Sequence, residues 1–281
     1  MNDQQTFNEL ADKICQPREG IDRILLSVGA EQSDFIRFNR ARVRQSTHVD
    51  QTTASIAVVK GQKRNVSSVT LGTDLSTSVQ ALQAECERLI TELPMVPDDP
   101  HLLLPKVITN TCRDDASGTL PGHAEIIDTV ISAASGTDMV GFYAGGPVLR
   151  AFGDSRGQRN WHRVSSFHFD WSLYLDVPDA TDRAVKTTYA GQTWNPDTLT
   201  QRMHQARNQL DPLSRQPVTI EPGSYRAFLT PGAMSEILGG LAWSGFSRKE
   251  RESGTSSLGL LADGSQAMSP LINIQEATAL G

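Results

Sequence analysis

The order of apolar and polar positions divides the chain into short helical and long extended stretches. Near the N-terminus Phe7, Leu10, Ala11, Ile14 and Cys15 recur at i, i+3, i+4, i+7 and i+8, which is one buried face of a helix. Thr6 and Glu9 fit a capping box at its start, and Pro17 and Gly20 end it. Extended stretches follow. "IDRILLSVG" is apolar and β-branched and closes at a glycine. "DFIRFNRARVRQS" alternates Ile36 and Phe38, then changes phase to Ala41 and Val43, which predicts a bulge or bend near Asn39. "TTASIAVVKGQKRNVSSVTL" reads as two strands joined at Lys60, Gly61 and Gln62. A second helix is predicted over 76–93, with Thr77 and Gln80 as its capping box and Val79, Leu82, Cys86, Leu89, Ile90 and Leu93 as its stripe.

Beyond a proline-rich stretch the pattern resumes. "GHAEIIDTVISAAS" is helical, and "MVGFYAGGPVLRAFG" and "SFHFDWSLYLDV" are strands with "DSRGQRN" as the turn between them. In the second strand Phe167, Phe169, Trp171, Leu173 and Leu175 alternate with His168, Asp170, Ser172, Tyr174 and Asp176, so one face is buried and one is wet. "DRAVKTTYAGQ" reads as a further strand, and "NPDTLTQRMHQARNQL" as a helix capped by Asn195 with Pro196 at its first position. "GSYRAFLTPG" then predicts a strand running into a turn, before the amphipathic helix "AMSEILGGLAWSG".

Proline fixes φ and removes a donor, so "PMVPDDPHLLLP", residues 94–105, is expected to end a first domain, and "DPLSRQP" a second. The domains expected are therefore 1–97, a helix-backed antiparallel α+β unit; 106–213, a β-rich unit with flanking helices; and 217–281, the start of a third, mostly β unit that is too small for an independent core. The fold class is α+β.

Composition narrows the class of function. The 281 residues are 38% hydrophobic and 21% charged, ordinary for a globular chain, and the net charge of −6 argues against a general nucleic-acid or anionic-membrane binder. No apolar run approaches the roughly 20 residues of a membrane helix, and "MNDQQTFNELADK" has no signal-peptide character, so the expected setting is cytoplasmic. Cys15, Cys86 and Cys112 are widely spaced and form no CxxC, which suits reduced thiols rather than a cysteine zinc site.

Candidate chemistry is sparse. Among the six histidines the best metal set is His168 with Asp170, same-facing on one strand, with His162 as a third candidate; a polar outer face is the stronger reading, because no motif supplies the third ligand. Arg37, Arg40, Arg42 and Arg44 could clamp a carboxylate or phosphate, against the plainer reading of a solvated strand. "GGPVLRAFGDSRG" is neither GxGxxG nor GxxxxGK[ST], and the serines lie in no nucleophile-elbow pattern.

The order of these stretches resembles the TldD/PmbA family. "FIRFNRARVRQSTHVDQTTASIAVVKGQKRNVSSVTLGTDLSTSVQALQAECERLITELPMVPDDP" is similar to that family's first domain and its proline exit. "MVGFYAGGPVLRAFGDSRGQRNWHRVSSFHFDWSLYL", with its turn at Ser155 and Gly157, is similar to the middle region, and "EPGSYRAFLTPGAMSEILGGL" and "SGTSSLGLLADGSQAMSPLINIQE" to the PmbA-type entry and continuation of the third domain. The resemblance implies a cytosolic zinc-dependent peptidase system acting on small or unfolded peptides, named also for effects on DNA gyrase. Its catalytic subunit carries HExxxH on the helix after the third-domain entry, two histidines holding zinc beside a glutamate that polarises water. Laid on this sequence, that motif meets Gly239, Gly240 and Ser244, and Glu236 lies about a turn away. The resemblance therefore implies a non-catalytic PmbA/TldE-like subunit, a pseudo-enzyme with no zinc of its own, working as a heterodimer with a zinc-bearing TldD-type partner on a peptide substrate. An active peptidase with an atypical site at His162, His168 and Asp170, and a non-proteolytic module that modulates a partner such as gyrase, remain the alternatives.

Overall fold

A computed structural model of the chain describes residues 3–115, 118, 120–176 and 183–275. It consists of two compact units, Met1–Val218 and Thr219–Gly281. The first unit is built on one seven-stranded sheet. Its strands are β1 (Arg23–Asn39), β2 (Arg42–Lys60), β3 (Lys63–Leu71), β4 (Thr111–Asp115), β5 (Asp138–Asp154), β6 (Arg159–Tyr174) and β7 (Ala184–Gly191). Its helices are α1 (Gln4–Ile14), α2 (Leu75–Glu92), α3 (His123–Ala133) and α4 (Pro196–Leu210). The strand order is β3-β2-β1-β5-β6-β4, with β7 also on β6; all pairs are antiparallel except β4 with β6.

The sheet corrects the expected boundary at 97/106. β1, from the first expected domain, lies between β2 and β5, from the second, so the ladder runs through both. What looked like two domains is two hydrophobic cores on one face of one sheet. The first core joins Ile24, Leu26 and Val28 of β1 and Leu149 of β5 to Phe7, Leu10 and Ile14 of α1 and Leu82 and Leu89 of α2. The second joins Ile36 and Phe38 of β1, Met139 and Tyr143 of β5 and Phe167, Phe169 and Trp171 of β6 to α3 and α4. Within each strand the core residues keep the same parity, and alternation puts equal parity on one face. All four helices therefore cover the same side, a pair at each end of the long strands. The proline-rich stretch is not a linker either. Leu102 and Leu104 pack on Leu25, Ala57 and Val59 of the opposite face, and Arg23, paired with Asp154 at 3.6 Å in the interior, donates to the carbonyl of Pro105.

Several local expectations change for reasons visible in the backbone. The phase change near Asn39 is a chain reversal: Asn39 faces Arg42, and Arg40 and Ala41 both have positive φ, 51° and 53°, the type I′ pattern of a two-residue hairpin. A register shift follows between Arg37 and Phe38. "IDRILLSVG" and "DFIRFN" are one strand, continuous past Gly29. The caps of α1 and α2 are Asp3 and Asp74, each accepting a backbone N–H three residues on, from Thr6 at 2.8 Å and Thr77 at 2.7 Å. Asn195 caps α4 as expected, accepting from the N–H of Thr198 at 2.9 Å.

Between the two cores the β1–β5 ladder is interrupted. Glu31 pairs with Val148 and pairing resumes at Asp34 with Gly145. Pro147 has no N–H to give, and at Gly146 (φ 153°) an added Cβ would lie 2.0 Å from the carbonyl oxygen of Gln32. This position requires glycine.

In the second unit, α5 (Pro231–Ala242), α6 (Arg248–Glu252) and α7 (Gly259–Ala262) are the regular elements among the described residues, and none of those residues is buried. The strand expected in "GSYRAFLTPG" is unpaired chain, and among the described residues of this unit there is no sheet to receive it. The small-residue tail, 276–281, lies outside the described residues.

Candidate functional site

The proposed ligands His162, His168 and Asp170 all lie on β6 and all face the helix-free side of the sheet. They are not brought together. His168 and Asp170 are one pleat repeat apart, but His162 is six residues from His168, roughly 20 Å along an extended strand. His162 stands between Arg150 and Arg113 on the neighbouring strands, and Asp170 pairs with Lys186 at 3.2 Å. Two cations beside one imidazole and a lysine on the carboxylate are poor surroundings for a divalent metal. Among the described residues no group of three His, Cys, Asp or Glu side chains is arranged to hold a metal ion.

The arginines gather at the β1–β2 hairpin on the same side of the molecule. The Arg37 guanidinium stands 5.5 Å from the Phe142 ring centroid, and Phe142 stacks on Phe35 at 5.8 Å. All four side chains are exposed. Stacking on the sheet and solvation account for them as a wet strand end.

On α5, Gly239 and Gly240 are interior helical residues, and a Cβ added at either meets nothing within 4 Å. The space for ligands exists but the side chains do not. The helix ends at Ala242, so Ser244 lies in the turn beyond it rather than on the helical face. The residues present therefore do not fit a zinc ion, and no chemical step is assigned to one here.

A polar group that the sequence did not single out lies on the helical side, in the valley between the two cores. Asp34 of β1 faces His48 of β2 across the ladder, and His48 Nδ1 meets Asp34 Oδ1 at 2.6 Å. The second carboxylate oxygen lies 3.8 Å from Nδ1 of His123, the first residue of α3, and the Nε2 of that ring is 3.2 Å from Ser46 Oγ. One pleat repeat away Gln32 donates to Asp50 at 3.0 Å, beside a cavity of about 200 Å³ that Pro147, Leu149 and Arg163 also line. Tyr143 lies in the second core, where burial, helped by the charge of Asp34, raises its phenol above the usual range and keeps it neutral. The hairpin turn at Arg40 and Ala41, together with the one-residue register shift between Arg37 and Phe38, sets Asp34 opposite His48. Counting outward from that turn alone would set Asp34 opposite Thr47; the bulge adds the one residue that brings His48 into place.

No protein-family model and no curated protein matches the chain. Solved structures do. TldE from Thermococcus kodakarensis superposes with a TM-score of 0.51 at 8% identity, over 71% of this chain and 46% of that one. A protein described as a candidate DNA gyrase modulator, from Bacteroides thetaiotaomicron, gives 0.52 at 11% identity, over 73% and 48%.

The chain has the TldE fold.

It spans a little under half the length of the TldE and gyrase-modulator structures that it matches. No helix among the described residues is long and apolar enough to cross a membrane.

Proposed function

We propose that the chain is the TldE-like, non-catalytic member of a TldD-type zinc metallopeptidase pair acting on small or unfolded peptides. The observation that supports it is the TldE fold, shared over 71% of the chain. The non-catalytic half of the reading rests on α5, where Gly239, Gly240 and Ser244 offer no zinc ligand. The zinc then belongs to the partner, and this chain contributes a wall of the substrate channel. Extended peptide suits such a wall, because strand N–H and C=O groups bind backbone independently of side-chain identity. The test mixes the full chain with a TldD-type subunit and follows cleavage of an unstructured peptide. No chelator-sensitive cleavage by this chain alone, and cleavage by the mixture, is the expected result; chelator-sensitive cleavage by the chain alone would overturn the reading.

The description of the Bacteroides protein as a gyrase modulator favours a second reading, a non-proteolytic binding module. A change in supercoiling by DNA gyrase on adding this chain, with no cleavage in the TldD mixture, would select it.

A further inference from the structure

We propose that Ser46, His123 and Asp34 form a serine acyl-transfer site in the valley between the two cores, independent of any zinc. The order of contacts is the order such chemistry requires. Ser46 Oγ lies 3.2 Å from His123 Nε2, and Nδ1 of the same ring faces Asp34 Oδ2 at 3.8 Å. A proton on Nδ1 is held toward the carboxylate and leaves the Nε2 lone pair for the serine hydroxyl. The Nδ1 distance is longer than a hydrogen bond, as is common before substrate closes a site. His48 grips the other carboxylate oxygen at 2.6 Å and so fixes the orientation of Asp34. Asp34 and His48 are positioning residues; Ser46 and His123 are the catalytic ones.

A second observation supplies what a triad alone lacks. His123 opens α3, an eleven-residue helix whose cap, Gly122, has no side chain to satisfy the first turn. The first intrahelical bond runs from the N–H of Ile126 to Gly122, so the N–H groups of His123, Ala124 and Glu125 have no partner within the helix. They stand beside the ring that takes the serine proton, where a carbonyl oxygen gains negative charge during attack. The reacting serine is exposed, so attack there favours a carbonyl already activated by its leaving group. The substrate class is accordingly an activated carboxylic ester.

In the first step Ser46 Oγ bonds to the ester carbonyl carbon and its proton moves to His123 Nε2. The tetrahedral intermediate collapses, the carbon–oxygen bond to the alcohol breaks, and the departing oxygen takes the proton back from Nε2. In the second step water attacks the acyl-serine, gives its proton to Nε2, and releases the acid as Ser46 recovers it.

The probes are p-nitrophenyl acetate and a fluorophosphonate, applied to the full chain. A burst of nitrophenolate near one equivalent per chain, and phosphonylation located at Ser46 by peptide mass spectrometry, are expected. Ser46→Ala removes both. His123→Gln lowers turnover about 100-fold or more, the usual contribution of a general base. Asp34→Asn lowers kcat with KM held, which loss of fold would not do, and His162→Ala on the other side of the sheet leaves turnover unchanged. An unmodified Ser46, or a Ser46→Ala chain that hydrolyses the ester at the wild-type rate, would overturn the proposal. The Ser46→Ala chain is also expected to support peptide cleavage in the TldD mixture, so the two readings fail separately.

Discussion

At the scale of single residues, the two aspartate caps show how local competition decides a helix start. The sequence offers Thr6 with Glu9 and Thr77 with Gln80, the pattern of a capping box. Asp3 and Asp74 precede them by three residues, and a carboxylate accepts more strongly than a hydroxyl, so each threonine becomes a donor inside the first turn. At Asp74 the hydroxyls of Ser76 and Thr77 and the Thr77 N–H hold the carboxyl at about 2, below its ordinary 3.8. A group whose folded value is depressed stabilises the fold above its unfolded value. The cap on α2 is therefore at full strength above about pH 4. Its contribution is lost as pH falls through about 2. An NMR titration of the Asp74 carboxyl should show that low midpoint. Asp74→Asn, which keeps the acceptor, should flatten the acid dependence of the α2 signals while leaving the helix formed.

At the scale of elements, alternation was the most legible signal and pairing the least. Phe167, Phe169, Trp171 and Leu173 were readable as the buried face of β6, and all are buried. Trp171 is 1% exposed and stacks on Phe169 at 4.7 Å, so Trp171→Ala should cost about 3–5 kcal/mol in denaturant melts. His168→Ala, on the solvated face, should cost under about 1 kcal/mol. The parallel strand β4 was missed because five residues, four of them exposed, carry no apolar alternation. The joining of β1 to β5 was missed because strand pairing is set by a partner more than a hundred residues away, and nothing local encodes it. In the Asp34, His48 and His123 group, the first pair was hidden by the bulge in the β1–β2 hairpin and the third member by its place on a helix of another core, whereas the absence of ligands on α5 was readable from the letters alone. The glycine at 146 makes the β1–β5 crossing testable. Gly146→Ala places a methyl against the Gln32 carbonyl and should destabilise the sheet unit by about 2 kcal/mol or more, which equilibrium unfolding followed by tryptophan fluorescence would measure.

At the scale of the whole molecule, the two units differ in kind. Met1–Val218 holds every buried residue among those described, and Thr219–Gly281 presents exposed apolar groups such as Phe228, Trp243 and Leu271. A chain ending at Val218 should therefore fold alone, with the same melting midpoint as the full chain to within about a degree in calorimetry, and should be less prone to associate. A midpoint several degrees lower would mean that the sheet depends on residues beyond 218.

The central place of β1 has a consequence during synthesis. β2 and β3 follow it directly and can pair as soon as they emerge, but its other neighbour, β5, begins only at Asp138. At the usual 5–20 residues per second that leaves one long edge of β1 without a partner for roughly 5–20 s on the ribosome. The edge carries apolar Ile24, Leu26, Val28, Ile36 and Phe38 in alternation, the composition that recruits strands from other chains. A nascent chain stalled before residue 138 should accordingly be a strong client of a holdase chaperone, and one stalled after β6 should not.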